Sequence, residues 1–327
     1  MTTVKIHGGI DILRLPVNQE EHTFPPWYLK YTQSHILHSK CSRSTNACGD
    51  NDVDACQFCV FNRTLDLPHM PDMVFPNNVL TLKYNDKAVI EFNALDALRR
   101  VSNGKINLQL ACAEAWKESR SESSEYLEEK IKPFDWTFTT DYMGTMTGFV
   151  VEETIDKIDV NKLKQKEKIL FYHDLTLFED ELHDNGIAVC SVKIRVMPSS
   201  FFVLLRYFLR VDNVMLRIND TRLFYEFGQD FLLREFTSRE AKVQDFSLYE
   251  NIFSFYVPPV LFTEPNEIAQ YLPIIVNKSH KLTIPAIFVE TLPQNRPTDV
   301  DKQSEPTSTS ENTRDPAISS SSNDTKD

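Results

Sequence analysis

Residues 191–223 read Ser-Val-Lys-Ile-Arg-Val-Met-Pro-Ser-Ser-Phe-Phe-Val-Leu-Leu-Arg-Tyr-Phe-Leu-Arg-Val-Asp-Asn-Val-Met-Leu-Arg-Ile-Asn-Asp-Thr-Arg-Leu, and they constrain the fold more than any other stretch of the chain. Over 188–196, Ala188, Cys190, Val192, Ile194 and Val196 share one face while Lys193 and Arg195 take the other, the period of a half-buried strand. Residues 201–211 are apolar on both faces, which marks a central strand. Asp212-Asn213 then turns the chain into a strand over 214–220, and Gly228-Gln229-Asp230 joins 223–227 to 231–236. Turns this short force antiparallel neighbours. The stretch holds nothing that looks like a nucleophile or a metal ligand, so it points to binding rather than chemistry.

The flanks fit the same class. Residues 9–15 and 27–37 alternate as strands, and 79–84 with 88–92 form a hairpin around Asn85-Asp86-Lys87. Asn93 is an N-cap for a short helix through Arg100, and Asn103-Gly104 is a turn before the alternating Ile106, Leu108 and Leu110. Residues 114–130 are charged and serine-rich, with room for a helix start around Trp116 and much of the stretch expected to be solvated. The cleanest strand is 134–142, with Phe134, Trp136, Phe138 and Tyr142 on one face and Asp135, Thr137, Thr139 and Asp141 on the other. Asp159 caps a helix over 160–170, and Leu175, Phe178 and Leu182 have the spacing of a second helix stopped by Gly186. Thr237-Ser238-Arg239-Glu240 reads as a capping box, and Thr263-Glu264-Pro265 opens a short helix that ends before Pro273. From Pro293 onward only Val300, Ala317 and Ile318 are aliphatic, too little apolar area to offset ordering entropy. The expected architecture is α+β: one domain over 1–292, built on antiparallel β-sheets with a sandwich-like core and peripheral helices. A cysteine-containing insertion over about 38–66 interrupts it, and a disordered polar tail over 293–327 follows it.

Charge and targeting narrow the partners. The 327 residues carry 47 acidic against 35 basic side chains, a net charge of −12. Nucleic acid is therefore not an expected partner, because neutralising phosphates needs a basic surface. The first residues lack a charged start followed by an apolar core, and the longest apolar run, 201–209, is broken by Arg206. No segment approaches the ~20 apolar residues that span a bilayer, so no membrane is expected either. Six cysteines without a signal fit reduced thiols in the cytosol, and also in the nucleus.

Few residues invite a chemical role. Cys41, Cys48, Cys56 and Cys59 lie close together downstream of His35 and His38, and Cys56-Gln57-Phe58-Cys59 has the gap that lets two thiolates reach one zinc ion. The second tight pair is missing, because Cys41 and Cys48 are widely spaced, so free thiols in a variable loop are expected and no metal or cofactor is assigned. Asp50, Asp52 and Asp54 open like a calcium loop, but Ala55 and Phe61 stand where glycine and glutamate are needed. His173-Asp174 and His183-Asp184 read as surface helix residues. With no phosphate loop, nucleophile elbow or His-Glu-x-x-His motif, no catalytic residue is assigned. The arginines are the better lead. Arg206 and Arg210 share a strand face, with Arg195, Arg217, Arg222 and Arg234 on neighbouring runs. A ladder containing Arg206, Arg210 and Arg217 could grip a carboxylate or an acidic peptide, while self-pairing with the surplus of acids is the expectation for most of the set.

These residues also carry a resemblance. The 191–202 block is similar to a signature of the TIPRL family, the TOR-signalling-pathway-regulator-like proteins. So are Ile90-Glu-Phe-Asn-Ala-Leu-Asp-Ala-Leu-Arg, Asp135-Trp-Thr-Phe-Thr-Thr-Asp-Tyr, Leu177-Phe-Glu-Asp-Glu-Leu-His-Asp, Asn219-Asp-Thr-Arg-Leu and Leu261-Phe-Thr-Glu-Pro-Asn-Glu-Ile-Ala-Gln-Tyr-Leu-Pro-Ile. The resemblance implies a non-catalytic regulator that binds the catalytic subunits of type 2A-class serine/threonine phosphatases and modulates them within TOR-linked signalling, with inhibition the expected sign. It implies Asp96, Ile158, Ile218 and Asp220 as partner-contacting residues, Ile218 standing where relatives commonly have methionine. All three of Asp96, Ile158 and Asp220 then sit at edges of elements, so Asp96→Leu or Asp220→Asn is expected to weaken binding with thermal unfolding nearly unchanged. The competing reading is a ligand-binding sheet protein or an enzyme with an unrecognised pocket. A third makes the cysteine loop a zinc-dependent interaction module.

Overall fold

In 27–33 Trp27, Leu29 and Tyr31 are buried while Tyr28, Lys30 and Thr32 are not, an alternation that lets one face of a strand close over another sheet. We describe the protein from a computed structural model covering residues 3–5, 11–13, 17–41, 48–49, 55–67, 69–101, 137–182, 186–212, 214–243 and 262–284. The chain divides into Met1–Ala286 and Ile287–Asp327, the second lying outside the described residues together with the expected tail. Also outside them are the Asn103-Gly104 turn, the 106–110 alternation, the 114–130 stretch, residues 134–136 and His183-Asp184. Among the described residues no helix is long and apolar enough to cross a membrane.

In chain order the strands are β1 (Thr3–Lys5), β2 (Asp11–Leu13), β3 (Asn18–Phe24), β4 (Trp27–Gln33), β5 (Met73–Val74), β6 (Val79–Tyr84), β7 (Ala88–Asn93), β8 (Thr145–Thr147) and β9 (Val150–Glu153). They continue as β10 (Phe171–Asp180), β11 (Gly186–Val196), β12 (Ser200–Val211), β13 (Met215–Glu226), β14 (Phe231–Lys242) and β15 (Ile274–Thr283). The helices are α1 (Gln57–Thr64), α2 (Ala94–Arg99), α3 (Val160–Lys164) and α4 (Pro265–Ile268). Strands β1 and β2 pair alone, β3-β4-β6-β7-β8 form a five-stranded sheet, and β5-β10-β11-β12-β13-β14-β15-β9 form an eight-stranded one. All of the strand pairs are antiparallel. The core lies between the two larger sheets: Trp27 meets Phe201 edge-on at 5.0 Å and Tyr225 at 5.2 Å. The α+β architecture with a sandwich-like antiparallel core is therefore as expected.

The local turn and cap signals are realised. Strands β6 and β7 form the hairpin, with Asn85 at φ 46° in its turn. Asn93 caps α2 by accepting from the Asp96 amide at 2.8 Å, and Asp159 caps α3 by accepting from Asn161. Helix α3 stops at Lys164, well short of the expected end at 170.

Four expectations fail, each for a tertiary reason. Leu175, Phe178 and Leu182 are not one helix face. Strand β10 carries a β-bulge between Thr176 and Phe178, which breaks the two-residue period and buries Leu175, Leu177 and Phe178 together. Residues 137–142 are not a ladder strand. Thr137, Phe138, Thr139 and Tyr142 are all buried, Phe138 has φ 56°, and the segment is held by side chains of the large sheet: Tyr207 donates to the Thr137 carbonyl and Asn219 to that of Thr140. The runs 214–220 and 223–227 are one strand, β13, whose polar middle does not end it because Asn219, Asp220 and Thr221 are buried with partners. Thr237–Glu240 belongs to β14 and caps no helix. A further correction concerns 38–66, which is not wholly loop, since α1 forms within it.

Candidate functional site

Asp96 sits in the first turn of α2, where a carboxylate suits the positive end of the helix. Asn93 Nδ2 donates to its Oδ2 at 3.0 Å, Thr145 donates to the same oxygen, and Arg99 donates to Oδ1 at 2.9 Å. Burial pushes its carboxyl up, but the donors from Thr145, Asn93 and Arg99 outweigh that and hold it below the usual aspartate range. About a quarter of the side chain remains exposed, at 23%. The result is an ionised, pre-oriented acid at a surface.

The other three residues named by the resemblance gather on the outer face of the eight-stranded sheet, the face turned away from the main core. Ile218 is fully buried among Phe208, Leu216, Ala241, Ile268 and Leu272, roofed by α4. Asp220 follows on the same face and is only 2% exposed. It accepts from Arg206 Nε at 2.7 Å and Nη2 at 2.8 Å, and Arg222 approaches at 3.5 Å. The Ile158 amide donates to Glu235, whose register partner on β13 is Arg222. Ile158 itself is buried. Asp220 is thus not the end of a strand presenting a carboxylate to solvent, as its sequence context suggested. It is mid-strand, enclosed and paired.

The arginine ladder does not form. Arg206 and Arg210 do share the outer face, but their register places Arg217 on the inner one. Arg206 is taken up by Asp220 and by Asn266 at 2.7 Å, Arg210 pairs with Asp212 at 2.7 Å, and Arg217 bonds Glu240 at 2.6 Å and also Thr139. The protein's own acids occupy these guanidinium groups. His173, expected on a helix, lies in β10 and stacks on Tyr31 at 3.4 Å between ring centroids.

The four cysteines come together, although the missing second tight pair spoke for free thiols in a variable loop. Their sulfurs all lie within 4.8 Å of one another. A depression of about 480 Å³ beside the β3–β4 turn is lined by Thr23, Pro25, Pro26, Trp27, Tyr28, Lys83, Asn85 and Asp86, with no histidine or cysteine among them. Sequence reasoning missed one surface feature. Ile155, in the loop after the edge strand β9, is 93% exposed, and Val150, Val151 and Val160 nearby in the chain are about half exposed. An apolar run that short does not distinguish a solvated edge from a buried strand.

Comparison with known proteins places the fold in a family. Residues 73–247 match the model of the TIP41-like family. A TIP41-like protein of Mus musculus is 46% identical over 293 residues, covering 88% of this chain and 96% of the mouse protein. A TIP41-like protein of Homo sapiens is 47% identical over 272 residues, covering 82% and 91%. A protein of Saccharomyces cerevisiae named type 2A phosphatase activator TIP41 is 35% identical over 223 residues, covering 63% of each chain.

Proposed function

Because the chain belongs to the TIP41-like family, we propose that it is a non-catalytic regulator that binds the catalytic subunit of a type 2A-class serine/threonine phosphatase. The expected inhibitory sign is withdrawn. The Saccharomyces cerevisiae relative is named as an activator, and activation is the sense we propose here. The setting proposed is TOR-linked signalling in the cytosol and nucleus. What supports a docking role is the pairing of a fixed, partly exposed carboxylate at Asp96 with exposed aliphatic side chains around Ile155. Helix α2 carries Asp96, and Ile155 follows strand β9 in a loop, the kind of connection on which binding residues are often found. Ile158, Ile218 and Asp220 are themselves buried.

Binding of purified full-length chain to a type 2A catalytic subunit tests the reading. Asp96→Leu removes the charge and is expected to weaken binding by at least roughly 30-fold, since truncating one partner of a desolvated charge contact costs about 2–5 kcal/mol. Ile155→Asp is expected to weaken it about tenfold, with an unfolding free energy within about 0.5 kcal/mol of the parent because the side chain is solvated. Undiminished capture of the catalytic subunit by both variants would remove this surface from the proposal, and failure of the parent chain to bind would remove the proposal itself.

A further inference from the structure

The segment that carries the cysteines has too little apolar material to fold by burial alone. Of its described side chains only Phe61 and Leu65 join the main core, and an eight-residue helix such as α1 is unstable by itself in water. Yet three separated pieces of chain meet there. Cys41 and Cys48 sulfurs are 3.7 Å apart, Cys48 and Cys56 are 3.8 Å apart, and Cys56 and Cys41 are 3.8 Å apart. Cys59 completes the group. A disulfide would need about 2.05 Å between sulfurs. Thiolates on a tetrahedral zinc ion stand about 2.3 Å from the metal and therefore about 3.8 Å from one another. The spacings belong to the second geometry.

The surroundings suit thiolates as well. The Cys48 amide donates to Cys59 Sγ and the Cys56 amide donates to Cys48 Sγ, each at 3.4 Å, the kind of outer contact that orients metal ligands. Cys56 is the N-cap of α1 and Cys59 lies in its first turn, so the positive end of the helix faces the cluster. Arg63 ties the halves together by donating to the Cys59 carbonyl at 3.2 Å and to the Gly49 carbonyl at 2.6 Å. Cys48 and Cys59 are buried, while Cys41 and Cys56 are partly exposed.

We propose that Cys41, Cys48, Cys56 and Cys59 bind one zinc ion through four thiolates, forming a structural site that anchors this segment to the sheet core. Binding exchanges four thiol protons, released to solvent, for one Zn²⁺. Four protein ligands leave no open position, so the site is not a catalytic one.

The test is elemental analysis of full-length protein produced with zinc and purified without chelator. About one zinc per chain is expected, falling to near zero in Cys56→Ser and staying near one in Cys190→Ala, whose thiol lies in the main core. Should Cys56→Ser fail to fold, the parent protein still decides the matter. Cobalt exchange should give the intense visible bands of tetrahedral thiolate coordination, and mercurial titration of its thiols should release the zinc. Metal-free protein with four freely reactive thiols, a mass showing disulfides among them, iron in place of zinc, or zinc content unmoved by Cys56→Ser would each overturn the proposal.

Discussion

Asp220→Asn is expected to lower the unfolding free energy by about 3–5 kcal/mol, the usual cost of removing one member of an enclosed ion pair. The substitution keeps the side chain's shape but removes its charge. Arg206, 11% exposed, then loses the anion that accepts two of its N–H groups. Asn266 still accepts from Nη1, but a neutral acceptor does not offset a buried cation. The expectation drawn from sequence alone, unfolding nearly unchanged, is thereby reversed. Replacing both partners separates charge from packing: Arg206→Met with Asp220→Leu should recover most of the loss, because two apolar groups leave nothing unpaired. Urea denaturation of the parent and these variants measures it. A single variant as stable as the parent, or a double variant no better than the single, would show that the pair does not work as an enclosed unit. Any loss of phosphatase binding by Asp220→Asn must then be read against its folded fraction, which is why Asp96 and Ile155 are the cleaner probes of the surface.

What the sequence disclosed tracks how local its cause is. The β6–β7 hairpin is legible because Asn85-Asp86-Lys87 needs only its own backbone, and the starts of α2 and α3 are legible because Asn93 and Asp159 act within three residues. The architecture as a whole was legible for the same reason, as short turns leave antiparallel pairing the only choice. Strand β10 was misread because a bulge is specified by its neighbours, and a bulged strand mimics the spacing of a helix. The 137–142 segment was misread because its threonines looked like a solvent face, when their partners lie far along the chain at Tyr207 and Arg217. The same blindness hid the burial of Asp220, whose bridging Arg206 is legible only once the register of β12 and β13 is known. The cysteine cluster lacked the second tight pair that sequence rules look for, and it becomes visible only when Cys41 and Cys48 are brought against α1.

Gly186→Ala is the second substitution with a large expected effect, and it tests the register from which that burial follows. Gly186 opens β11 opposite Val211 of β12, at φ +147°. A Cβ there would sit 1.9 Å from the Arg210 carbonyl oxygen and 2.9 Å from its carbon. Both are backbone atoms of a central ladder, so neither can move aside without displacing β12. An unfavourable backbone conformation costs roughly 1–3 kcal/mol and overpacking a similar amount, for about 3–5 kcal/mol together. Gly228 supplies the control. Its φ is +96°, but an added Cβ would meet nothing within 4 Å. Gly228→Ala should therefore cost only the conformational part, about 1–2 kcal/mol. If urea midpoints place the two variants level, the close approach of β11 to Arg210 is wrong, and with it the alignment that sets Asp220 beside Arg206. A clear gap between them, with Gly186→Ala the less stable, is what the paired strands require.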